Sequence, residues 1–226
     1  MEWFCRAYMW ATRCLYNELA SAYDAVAWLV SFGRWSGWRE EALAHVVGES
    51  VLEVGFGTGD LLIDMRKRGY CVCGLELSPA MHRVAGAKMR RRKVCVPRVL
   101  ADARAMPFQS ETFDCVVATF PSQYIMSPAA LAEAARVLRP ATGRGHGGRL
   151  VVVGLYLQAR ILPLRVLGWL ASSAPAESVS ERFLTLAKAA GLWPVDAGQS
   201  GESAVPAVVV EKQCGGSACA TSSSER

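Results

Sequence analysis

The sequence predicts an α/β protein: a mostly parallel seven-stranded sheet in three αβα layers, with an antiparallel last strand and an N-terminal helical cap. Three observations carry this. From residue 51 onward, short apolar runs alternate with helix-patterned segments, and that alternation builds parallel strands joined by crossover helices. The chain has 226 residues, which is room for one sizeable core rather than two. The last two strand-like runs are separated only by the loop "DAGQSGESAVP", so they read as an antiparallel edge hairpin.

Residues 51–55 form the first apolar run. A helix over 59–68 follows, with Leu61, Leu62 and Met65 on one face, Asp60 near its start and Lys67 and Arg68 near its end. That charge order suits the helix dipole, and Gly69 supplies a left-handed stop. A second strand is expected over 70–75. Ser78 and Pro79 then give a cap and a first-turn proline, opening a helix to residue 91. Further strands are expected over 97–100, 113–119 and 149–154, with a helix from Ser127-Pro128 that Pro140 stops. A helix over 181–190 and strands over 192–195 and 207–212 complete the pattern. Residues 1–47 are assigned to the cap, 48–213 to the sheet domain and 214–226, small and polar, to a disordered tail. The glycine-rich "ATGRGHGG" before the fifth strand reads as a flexible surface loop.

Composition narrows the function classes. With 52% apolar and 20% charged residues the chain is an ordinary globular protein. Much of its +5 net charge sits in Arg90-Arg91-Arg92-Lys93, which reads as a solvated helix end rather than a nucleic-acid footprint. Cys71 and Cys73 alternate along one expected strand, and Cys95 and Cys115 sit in apolar runs as small hydrophobes. With no C-x-x-C pair and with His45, His82 and His146 isolated, no metal site is expected. The N-terminus lacks the form of a secretory signal. The apolar stretch from Leu155 is broken by Arg160, Pro163 and Arg165, too soon for a spanning helix. A cytoplasmic protein is expected, with peripheral membrane contact open to it.

The stretch "VLEVGFGTGD" carries the chemistry. Three glycines at alternate positions after a strand shape a backbone around a ligand. A phosphate-binding loop would end in Gly-Lys-Ser/Thr, whereas Gly59 is followed by Asp60 and Leu61. A dinucleotide fingerprint needs its third glycine where Asp60 stands, and a carboxylate at that helix start opposes a pyrophosphate. The remaining adenosine ligand is S-adenosylmethionine, whose methionine end brings an ammonium and a sulfonium to an acidic loop.

Here the chain resembles the class I S-adenosylmethionine-dependent methyltransferases, and with them a Rossmann-like fold is implied. The resemblance runs from about Tyr23 to Lys212. "VLEVGFGTGD" resembles the family's first motif, which implies that Gly55, Phe56, Gly57 and Gly59 approach the methionine moiety while Glu53 organises the loop. In "GLELSP" the resemblance implies that Glu76 accepts both ribose hydroxyls, with Leu77 beside it. In "ADARAMPF" it implies that Asp102 accepts from the adenine amino group and Ala103 offers its backbone N–H. "FDCVVATF" and "RVLRP…GGRLVVV" match the next strands, and Phe120 closes the cofactor set. A nicotinamide oxidoreductase would share Glu76 but has no need of Asp102.

The segment "YDAVAWLVSFGRWSGWREEAL" is similar to the quinone-biosynthesis and phospholipid methyltransferase-like branch, which implies that Tyr23 touches the methionine end. The loop "TFPSQYI" lacks the Asn/Asp-Pro-Pro-Tyr/Phe of amino-directed nucleic-acid enzymes, so a small lipophilic acceptor is expected. Gln123, Tyr124 and Trp169 are the expected acceptor-side residues, Trp169 on an apolar wall that starts at Leu155. No strong base is visible, His82 reading as a surface residue. A non-catalytic cofactor-binding subunit therefore stands as the alternative.

Overall fold

The computed structural model describes residues 35–141, 146–155, 176–195 and 207–213. Its elements in chain order are α1 (Trp35–Ala44), β1 (Ser50–Val54), α2 (Asp60–Lys67), β2 (Cys71–Glu76), α3 (Pro79–Arg91), β3 (Arg98–Leu100) and β4 (Cys115–Thr119). A 3-10 turn (Gln123–Met126), α4 (Pro128–Val137), β5 (Arg149–Val153), α5 (Ala176–Ala189), β6 (Leu192–Pro194) and β7 (Ala207–Lys212) follow. One seven-stranded sheet has the order β3-β2-β1-β4-β5-β7-β6. The first five strands pair in parallel, while β7 runs antiparallel to both β5 and β6. The expected hairpin is present, but β7 is inserted beside β5, so β6 alone forms that edge.

Period-2 alternation sorts the strand residues into two cores. Leu52, Val54, Val116, Ala118, Leu150 and Val152 face α4 and α5, where Leu131, Ala134 and Phe183 cover them. Val51, Cys115, Val117, Val151 and Val153 face the other way, against Ala42 and Leu43 of α1, Leu61, Leu62 and Met65 of α2, and Ala85 and Met89 of α3. Glu53 shares that second face, which sets a carboxyl under α1 and α2.

Two expectations need correction. The glycines at 147 and 148 are buried and tightly held rather than part of an open surface loop. Gly148 N–H donates to the Arg139 carbonyl at 2.8 Å and its own carbonyl accepts from Lys212 N–H at 2.9 Å; a Cβ on Gly147 would overlap the Lys212 carbonyl. Close backbone approach, not flexibility, requires glycine there. Cys95 is exposed and precedes β3, so it does not act as a small hydrophobe in an apolar run. As expected, Ser78 caps α3, accepting from Met81 N–H at 3.3 Å, and α4 starts at Pro128 with Ser127 at its N-cap position.

Candidate functional site

In an open parallel sheet, ligands enter outside the carboxyl ends of the strands. The loops after β1, β2, β3 and β4 carry nearly all the expected residues. The turn after β1 is built by glycines in the left-handed region: Gly55 at φ 75°, Gly57 at 52° and Gly59 at 80°. A Cβ on Gly57 would meet nothing within 4 Å, so its backbone borders open space. Gly59 has another duty, since a Cβ there would press on Ala85 and Met89; it lets α2 approach α3. The Phe56 ring is buried in the core under the turn, tilted against His82 with centroids 5.6 Å apart, so only its backbone borders the site.

Glu53 and Glu76 differ sharply in their partners. Glu76 Oε2 accepts Gly57 N–H at 3.0 Å and Oε1 accepts Ser78 N–H at 2.8 Å. It therefore organises the loop, a task the motif resemblance implied for Glu53, and each oxygen keeps a further lone pair. Glu53 is 1% exposed, and its Oε2 has no hydrogen-bond partner among the described residues. Burial, then the neighbouring carboxylates of Glu76, Asp60 and Asp64, pushes its carboxyl well above the usual range; Arg39 opposes them.

A cation cluster beneath the turn was not legible in the motif. Lys88 on α3, 6% exposed, donates to Asp60 Oδ2 at 2.9 Å and Thr58 Oγ1 at 3.0 Å. Arg92 lies 3.5 Å from Asp60 Oδ1. Arg39 of α1 reaches Asp64 at 3.1 Å and Asp60 at 3.7 Å. The charge expected to repel a pyrophosphate is thus already neutralised from below; the acidity that faces the site is that of Glu53 and Glu76. A lysine on the buried stripe of α3, alongside Met81, Ala85 and Met89, was the available signal.

At the rim, Leu77 is 61% exposed beside buried Glu76. Asp102 is held by its neighbour, with Arg104 Nε at 3.0 Å from Oδ1, Nη2 at 2.5 Å from Oδ2 and the Arg104 N–H at 2.9 Å. Those bonds keep its carboxyl below the usual range. The Ala103 side chain is in the core, leaving only its backbone for a ligand. Phe120 adopts φ 49°, and its ring lies against Gly154 at the end of β5. Gln123 is exposed, while the Tyr124 hydroxyl donates to the Val54 carbonyl at 2.9 Å and stands over Gly55. His82 is half-buried with Nε2 fully enclosed, not a surface residue. Tyr23, Trp169 and most of the wall from Leu155 lie outside the described residues.

A buried acid with an orphaned oxygen, on the strand that leads into an open glycine turn, suits a cationic group and disfavours phosphate. The residues present therefore fit S-adenosylmethionine. A separate cavity of about 500 Å³, lined by Gly48, Asp114, Arg139 and Gly147 among others, opens at the opposite ends of the strands. Its Asp114 and Arg139 are spent on each other and on nearby backbone, so it is not the site.

Comparison with known proteins agrees. Residues 51–141 match the family model described as a methyltransferase domain. A demethylmenaquinone methyltransferase of Tropheryma whipplei (strain Twist) is 33% identical over 144 residues, covering 62% of this chain and 57% of that protein. The ubiquinone/menaquinone biosynthesis C-methyltransferase UbiE of Paraburkholderia phymatum is 30% identical over 184 residues, covering 75% and 73%. The crystal structure of the PH0226 protein from Pyrococcus horikoshii OT3 superposes with a TM-score of 0.59 at 18% identity, over 88% of this chain and 95% of that one. The chain spans 57% and 63% of the demethylmenaquinone methyltransferases of T. whipplei and Thermus thermophilus.

Proposed function

The chain belongs to the class I S-adenosylmethionine-dependent methyltransferases, and from that premise we propose that it methylates a small lipophilic acceptor of the quinol type. The observation that carries the cofactor half is the Glu53 carboxyl, enclosed and without a hydrogen-bond partner at Oε2 among the described residues, on the strand that leads into the open turn at Gly57. S-adenosylmethionine supplies a methyl group already activated on a sulfonium. The chain's own residues bind, align and exclude water, which is worth several kcal/mol of barrier in such displacements.

Glu53 takes the ammonium end. Glu76 uses its remaining lone pairs for the ribose hydroxyls, and exposed Leu77 offers an apolar shelf beside them. Asp102 and the Ala103 backbone take the adenine edge, with Arg104 fixing the orientation of the carboxylate. The Tyr124 hydroxyl ties the loop after β4 to the end of β1, so acceptor and cofactor loops are held in register. Phe120, held at φ 49° with its ring against Gly154 at the end of β5, is the aromatic surface we assign to the border between the cofactor set and the acceptor. Strained backbone of this kind concentrates at functional sites.

The acceptor class comes from the relatives, whose names specify quinone substrates. No helix among the described residues is long and apolar enough to cross a membrane, and we place the reaction in the cytoplasm, on an acceptor drawn from a membrane surface. Tritiated-methyl transfer to a reduced demethylated naphthoquinone or benzoquinone tests the reading, with lipid, small-molecule, RNA and protein fractions as competitors. Label appearing in the quinone supports it. Label only in RNA or protein, or none in any fraction despite cofactor binding, would reject it.

A further inference from the structure

We propose that occupation of the glycine turn by an ammonium-bearing cofactor expels one proton from Glu53, making cofactor binding and the ionisation of this carboxyl a single event. The inference rests on the cofactor reading above and adds to it the state of the residue that receives the ligand.

Among the described residues four charged groups act on Glu53: Glu76 from β2, Asp60 and Asp64 from α2, and Arg39 from α1. Three are carboxylates. The one cation is shared, because Arg39 lies 3.1 Å from Asp64 and 3.7 Å from Asp60. Lys88 and Arg92 are likewise directed at Asp60. Glu53 is 1% exposed and its Oε2 has no hydrogen-bond partner among the described residues. An ionised carboxyl in that position would be desolvated, unpaired and surrounded by like charge, the costliest arrangement for a buried acid. The neutral acid escapes all three penalties, in keeping with the upward shift of its pKa.

An ammonium arriving over Gly57 reverses this balance. It brings the missing positive charge and N–H donors to the orphaned oxygen, and both favour the carboxylate. The Glu53 O–H bond breaks, its electron pair stays on the carboxyl, and the proton passes to solvent. The ligand keeps all its ammonium protons. One proton is therefore released per cofactor bound, and below the pKa of the empty site affinity falls about tenfold for each unit of pH.

Calorimetric titration of the full chain with S-adenosylhomocysteine tests this without turnover. Measurements are paired in two buffers of different ionisation heat, between about pH 5 and 8. The expected result is a buffer-dependent enthalpy whose difference rises to about one proton released. Methylthioadenosine, which lacks the ammonium and carboxylate, should bind with no buffer dependence. In Glu53→Gln the release should vanish, while the ligand-free variant melts no lower than wild type at neutral pH. Enthalpies independent of buffer across the range, equal release with methylthioadenosine, or release that persists in Glu53→Gln would each overturn the proposal. If Glu53→Gln fails to fold, the two ligands compared on wild type still decide. If neither nucleoside binds, the cofactor reading itself falls and this inference with it.

Discussion

Glu76 performs two tasks with one carboxylate. It fixes the turn by accepting from Gly57 and Ser78 N–H groups, and it presents its remaining lone pairs at the end of β2. Glu76→Ala should weaken cofactor binding by about 1.5–3 kcal/mol, the scale of hydrogen bonds to a charged group. It should also lower the melting temperature, because two backbone donors lose their acceptor. Asp102→Ala should weaken binding less and leave melting nearly unchanged, since its partners are its own local Arg104. Calorimetry and thermal melting on the two variants check both statements; equal effects would undo the distinction. Glu53, Glu76 and Asp102 were legible in the sequence because motif spacing places them at strand ends. Arg39 and Lys88 were not, because their meeting with Asp60 depends on how α1 and α3 pack, which spacing within one motif does not encode.

The glycine turn is supported from two helices, and its rigidity is a property of those elements. Lys88 on α3 holds Asp60 and Thr58, so the start of α2 is pinned from beneath. Removing one partner of a buried pair costs about 3–5 kcal/mol when the survivor is left alone. Asp60 would retain Arg39 and Arg92, so Lys88→Met should cost less than that range in urea unfolding. It should still weaken cofactor binding, through loss of the Thr58 bond that shapes the turn; unchanged affinity would show that the pin is purely structural. The pairing of helices and strands was readable from periodicity, with most boundaries displaced by one or two residues, while α5 begins at Ala176 rather than at the expected residue 181. Gly147 and Gly148 were misread because glycine permits both slack loops and close backbone contacts. Only the Arg139 carbonyl and the backbone of Lys212, the latter distant in sequence, decide between them.

Across the whole molecule, carboxyl groups push stability in opposite directions with pH. Asp114 is opposed by burial, but the Ser50 N–H, Arg139 and the Glu49 N–H hold it below the usual range. Glu133 is lowered by Arg136. Their folded pKa values lie under the unfolded ones, so the stability they add is present above the ordinary carboxylate range and lost as pH falls through their folded values. Glu53 behaves oppositely: its raised pKa means that stability declines as pH rises from the ordinary carboxylate range toward its folded value. Melting temperature should therefore peak between these limits. Asp114→Asn should lower it by the equivalent of about 1–3 kcal/mol at neutral pH, with the difference from wild type shrinking in acid; a difference that grows in acid would contradict this sign. The order of the strands carries a consequence for synthesis. β6 touches the sheet only through β7, and β7 fills the place beside β5. A ribosome delivers β6 before the strand that must seat it, so β5 emerges with an open edge that persists until residues 207–212 leave the exit tunnel. A nascent chain stalled before residue 207 should thus bind a holdase chaperone and resist compaction, whereas one released after residue 213 should not; force-sensitive arrest assays at successive lengths would register the late step.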